Sequence, residues 1–80
     1  MKLPRDVSGE ALARALARFG YEVTRQTGSH LRLTRSVRST HHLTVPRHRD
    51  LKVGTLAGIL KEVAEELGLS RDELADRLWS

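Results

Sequence analysis

Eighty residues, 39% hydrophobic and 30% charged, specify one small folded domain, residues 1–80, with room for a single core. The chain has no cysteine, so neither a disulfide framework nor a Cys-ligated zinc site is open to it. No apolar run approaches the roughly 20 residues that span a bilayer, and Met1–Asp6 has no apolar signal region behind it, so a cytoplasmic protein without membrane partners is expected.

The net charge of +4 is unevenly spread. Residues 1–54 carry 11 Lys/Arg against 4 Asp/Glu, and residues 55–80 carry 3 against 6. Between Val23 and Arg49 stand six arginines (Arg25, Arg32, Arg35, Arg38, Arg47, Arg49), all four histidines and no acid. A one-sign block of this kind suits a polyanion, because each neutralised phosphate releases condensed counterions. Arginine outnumbers lysine 11 to 3, and a guanidinium can grip phosphate through two parallel hydrogen bonds.

The first element is a helix from about Gly9 to Phe19. Leu12, Leu16 and Phe19 recur at helical spacing, Ser8 is a plausible N-cap, and Gly20 suits the stop. The period then changes to two. Tyr21–Gln26 alternates as a half-buried strand, Thr27-Gly28-Ser29 is a turn, and His30–Arg35 alternates again with Leu31 and Leu33 inward. Ser36–Thr40 reads as a polar loop, and His42–Val45 as a third strand closed by Pro46. Parity places His30, Arg32, Thr34, His42 and Thr44 on the face opposite the core. A second helix runs from about Val53 to Leu67 on the stripe Leu56, Ile59, Leu60, Val63, Leu67, and ends at Gly68. Ser70-Arg71-Asp72-Glu73 is a capping box for a third helix with Leu74 and Leu78 on one face and Trp79 favoured to pack. The fold class is α+β, with a three-stranded antiparallel meander packed on helices.

Chemistry concentrates at His30. An imidazole titrates near pH ~6.5 in model peptides and can exchange a proton at neutral pH. RNA carries its own nucleophile, the 2′-hydroxyl, so one base, one acid and positive charge on the phosphorane suffice for cleavage without a metal. His30 beside Arg25 and Arg32 meets that need. A surface or phosphate-binding histidine is the competing reading of the same residue. His41 and His42 fall on opposite faces of a strand and share no metal, and no acid completes a metal site or a Ser-His-Asp triad in this window. Gly28 is isolated and opens no helix, so no nucleotide cofactor is expected. His48 is a second candidate for proton transfer or phosphate contact.

Two motifs carry a family resemblance. One is Gly20-Tyr21, then Val23, Arg25-Gln26 and Gly28-Ser29-His30. The other is Val45-Pro46, His48, Leu51-Lys52-Val53-Gly54-Thr55-Leu56 and Ile59-Leu60. In order and spacing, over about residues 8–61, they resemble the HicA (YcfA-like) toxins, mRNA interferases of HicA–HicB toxin–antitoxin modules. The resemblance implies an α-β-β-β-α fold like that of double-stranded-RNA-binding domains, here with an additional C-terminal helix. It also implies metal-independent endoribonuclease activity with the Gly-Ser-His histidine, His30, as catalytic residue, and a HicB-type antitoxin as partner. Gly28 and Ser29 are expected to shape the turn that presents His30, with Gly28 free to take a positive φ. Gly28, Ser29, Arg25, Arg32, Arg47, His48 and Lys52 are the expected RNA contacts, those of Arg25, Arg32 and Lys52 resting on charge and parity rather than on the family. A non-catalytic RNA-binding module of the same fold and a protein-interaction domain with a basic face are the alternatives.

Overall fold

A computed structural model describes residues 3–79. The element order is α1 (Gly9–Leu16), a 3₁₀ turn (Ala17–Phe19), β1 (Glu22–Gln26), β2 (His30–Val37), β3 (Ser39–Pro46), α2 (Val53–Leu67) and α3 (Arg71–Trp79). This is the α-β-β-β-α order with an extra C-terminal helix. The chain divides into two compact units, one spanning residues 6–51 and the other holding α2 and α3.

In the first unit, Ser8 caps α1 by accepting from the Ala11 N–H at 3.0 Å. Leu12 and Leu16 are fully buried. The helix then tightens into the 3₁₀ turn, which advances each residue by 120° rather than 100°. That rotation takes Phe19 off the Leu12–Leu16 face and leaves it half-buried. Gly20 ends the segment at φ 90°, where a side chain would be strained.

The sheet has the order β1-β2-β3, antiparallel throughout. Leu31, Leu33, Leu43 and Val45 are buried on the inner face, where α1 packs against β2 and β3. Such a side chain contributes about 1.5–3 kcal/mol on burial. The residues expected to form a loop, Ser36–Thr40, instead extend both strands. Pairing continues through Ser36↔Thr40 and Val37↔Ser39, and Arg38 alone makes the turn at φ 66°. The run is polar because its residues are exposed on both faces, not because it lacks regular pairing.

β1 also departs from strict alternation. Its register slips between Val23 and Arg25, so that Val23 opposes Leu33 while Arg25 opposes Arg32. A bulge of this kind adds one residue and reverses the parity beyond it. Val23, expected to be half-buried, is 46% exposed on this edge strand.

In the second unit, Leu56, Leu60, Val63 and Ala64 of α2 and Leu74, Ala75 and Leu78 of α3 are buried, and the two helices pack together. Ile59, Leu67 and Trp79 are half-buried. Gly68 at φ 70° closes α2, with Leu69 N–H donating to the Ala64 carbonyl at 2.9 Å. The expected capping box is formed: Glu73 N–H donates to Ser70 Oγ, and Ser70 N–H to Glu73 Oε1, both at 3.1 Å.

Candidate functional site

The β1–β2 turn is closed by Thr27. Its N–H donates to the His30 carbonyl at 2.9 Å. Its Oγ1 accepts from the N–H groups of His30 at 3.0 Å and Ser29 at 3.3 Å. A threonine hydroxyl thereby stands in for a backbone acceptor. Gly28 does not use its freedom to take a positive φ, and a Cβ there would meet nothing within 4 Å. Thr27, rather than the conformational freedom of Gly28, sets the turn.

A second clamp comes from Arg47. Its N–H donates to the Ser29 carbonyl at 2.8 Å, and its Nη1 donates to the Thr27 carbonyl at 2.8 Å. Nη2 pairs with Glu10 Oε1 of α1 at 2.7 Å. The Arg47 guanidinium holds the Glu10 carboxyl below its ordinary pKa, chiefly through its hydrogen bond and then through its charge, with a smaller pull from the Arg14 charge. The start of α1 seats on the same place, with Gly9 N–H donating to the His48 carbonyl at 3.0 Å. Gly9 is required by this approach, because a Cβ there would overlap the Pro46 carbonyl oxygen.

His30 rises from this braced turn at the first position of β2, opposite Pro46, and is exposed. Its Nδ1 lies 2.9 Å from Ser29 Oγ. Among the described residues nothing partners Nε2, which is left for a ligand. The next outward position along β2 makes the rung Arg25–Arg32–Thr44 across all three strands. Beyond it lies Thr34 opposite His42. The bulge is what brings Arg25 to this face, since uninterrupted alternation would send it with Val23 to the inner side. Glu22 is the single acid within the three strands.

The expected site residues therefore divide. Gly28, Ser29, His30, Arg25 and Arg32 come together on one exposed face. Arg47 lies against the turn with its guanidinium committed to Thr27 and Glu10. His48 is exposed just past β3, its carbonyl taken by Gly9. Lys52 belongs to the other compact unit, exposed at the N-cap of α2. Arg35 is turned inward, donating from Nε to the Phe19 carbonyl at 2.7 Å. His41 faces inward too, its Nδ1 2.7 Å from the hydroxyl of buried Tyr21, while His42 faces outward. A groove of about 650 Å³ between α1 and β1, lined by Ala13, Ala17, Tyr21, Val23 and Leu31 among others, opens on the inner side and does not include His30. Thr27 and Glu10 were not singled out in the sequence. A Thr three residues before a strand start is a readable turn signal, whereas Glu10 and Arg47 are 37 residues apart and nothing local links them.

No individual curated protein and no solved structure matches the chain. A family model described as the HicA toxin of bacterial toxin–antitoxin systems matches residues 9–64, from the start of α1 into α2. That segment is more than half of the chain and contains the whole braced turn with His30, so the protein belongs to the HicA toxin family and is the toxin of a toxin–antitoxin system.

Proposed function

We propose that this toxin is an endoribonuclease, an mRNA interferase acting in the cytoplasm through His30, with residues 1–80 working as one HicA-like domain. The observation that carries the reading is the presentation of His30. The imidazole is exposed, its Nδ1 is anchored by Ser29, and its backbone is fixed by Thr27 and Arg47 on the edge of a basic face. A ring held at one nitrogen offers the other for proton transfer without a search over rotamers.

In the proposed step Nε2 takes the proton of a ribose 2′-hydroxyl. The 2′-oxygen attacks the adjacent phosphorus, the P–O5′ bond breaks, and the 5′-oxygen leaves with a proton returned by the imidazolium or by water. The products are a 2′,3′-cyclic phosphate and a 5′-hydroxyl. Arg25 and Arg32, paired across β1 and β2, supply positive charge to the phosphorane. His48 and Lys52 are proposed as further RNA contacts. The protons are moved by the imidazole and water and the charge is met by arginine, so cleavage is expected to continue in EDTA.

The partner proposed is a HicB-type antitoxin that covers the His30 face. Replacement His30→Ala is expected to abolish both RNA cleavage and growth arrest with an unchanged circular dichroism spectrum, because the side chain is exposed. Full cleavage by that variant overturns the catalytic role. RNA binding with steep salt dependence but no cleavage by the wild-type protein would establish the non-catalytic module instead.

A further inference from the structure

The outer face carries a second ordered imidazole. His42 is exposed on β3, with Nδ1 2.8 Å from Thr34 Oγ1. Thr34 Oγ1 lies 2.7 Å from Thr24 Oγ1, and the Thr24 hydroxyl reaches the Arg32 carbonyl at 3.5 Å. The hydrogen bonds thus cross all three strands. A carbonyl can only accept, so one direction uses every hydrogen. Thr24 donates to Arg32, Thr34 donates to Thr24, and the Nδ1–H of His42 donates to Thr34. In that arrangement the neutral ring carries its hydrogen on Nδ1 and leaves Nε2 as an acceptor, without a partner among the described residues.

Position decides what that acceptor can serve. His42 pairs with Thr34, four residues along β2 from His30. At the rise of a β-strand this is roughly 13 Å, too far to share a proton with the phosphate at His30. It matches the reach of about two nucleotides in an unstacked single strand. The Arg25–Arg32 rung lies between the two imidazoles, where the intervening phosphate would pass. Phosphate oxygens cannot donate to Nε2, but a ribose 2′-hydroxyl can, and every ribonucleotide has one whatever its base.

Building on the ribonuclease reading, we propose that His42 is a substrate-binding residue that accepts a hydrogen bond from a ribose 2′-hydroxyl about two nucleotides from the cleaved bond. The toxin then checks for RNA at two places, once by chemistry at His30 and once by recognition at His42.

A DNA octamer with one ribonucleotide fixes the cleavable bond. A second ribonucleotide is then placed one, two or three positions to either side, and cleavage after the first is followed separately by product length. The full chain is expected to gain roughly three- to tenfold in kcat/KM at a single offset, two nucleotides away, the size of one net hydrogen bond. His42→Ala should erase that gain, bringing the ratio of kcat/KM for the doubly and singly substituted octamers to about one. Thr34→Val, which releases Nδ1, should erase part of it. A gain at no offset, or one that survives His42→Ala, overturns the proposal. The same series read by equilibrium binding to His30→Ala protein keeps the two ideas apart. Absence of cleavage from all-ribose RNA removes the ribonuclease reading, whereas the offset-specific binding gain and its loss in His30→Ala/His42→Ala protein test His42 alone.

Discussion

Replacing Gly9 by Ala tests whether the close seating of α1 organises the site. The new Cβ would overlap the Pro46 carbonyl oxygen and lie 3.0 Å from its carbon and 3.3 Å from Arg47 Cα. These are backbone atoms beside a proline ring with fixed φ, so they cannot rotate away. The helix start must shift on the order of an ångström to restore van der Waals separation. Overpacking costs about 1–3 kcal/mol, and the Gly9–His48 hydrogen bond adds about 1 kcal/mol. The better helix propensity of Ala offsets at most about 1 kcal/mol. A net loss of about 2–3 kcal/mol lowers Tm by roughly 10–20 °C in a domain of this size. Gly58→Ala is the internal control, because a Cβ in that position of α2 meets nothing within 4 Å. It should stabilise by about 0.5–1 kcal/mol. Thermal and urea unfolding of both variants provide the measurement. Equal stability of Gly9→Ala and wild type would refute the close-approach argument.

Three further outcomes follow from the same geometry. The Glu10 carboxyl is held below its ordinary value of 4.5 by Arg47, so its contribution to stability is complete above that value and lost as the pH falls through the lower folded-state value. Glu10→Gln should flatten the acid limb of a Tm-against-pH curve, leaving the part due to the similarly lowered Glu73 of the capping box. Arg47→Lys keeps the charge but loses the fork that spans Thr27 and Glu10. Turnover should fall about three- to tenfold with the salt dependence of RNA binding unchanged, and a shallower salt slope would mark Arg47 as a phosphate contact instead. Finally, with Arg35 and Arg47 engaged inside the fold, a single strand should meet no more than about four cations, giving a slope of log K on log salt between about −1 and −3. A slope of about −4 or steeper, as all six arginines of the basic window would give, contradicts that assignment.

The element order was legible because each element is long enough to show its period. Leu12 and Leu16, Leu31 and Leu33, Leu43 and Val45, and Leu56, Leu60 and Val63 are buried where spacing places them. Other features depend on partners the local sequence does not name. Arg25 is expected beside Arg32 on charge and parity and does stand opposite it, but through a bulge in β1 that only the pairing with β2 defines. The β2–β3 hairpin tip reads as a loop because neither face is covered, although its backbone pairs to Val37↔Ser39. Gly28 stood out as the turn glycine, yet hydrogen bonds to Thr27 fix the turn.

The basic window shows why charge alone locates this site only coarsely. Counting arginines treats each as a free cation, but a guanidinium is also the strongest available donor to a carbonyl. Arg35 and Arg47 are used that way, one tying β2 to the end of the 3₁₀ turn, the other tying β3 to the His30 turn and to α1. Each places a positive charge within the fold while satisfying a loop carbonyl that β-sheet pairing cannot reach. The outward pair Arg25 and Arg32 then stands on a sheet whose turn is already braced. Arg47 takes its anion from Glu10, 37 residues away in the chain, and that long-range pairing fastens α1 to the turn that presents His30.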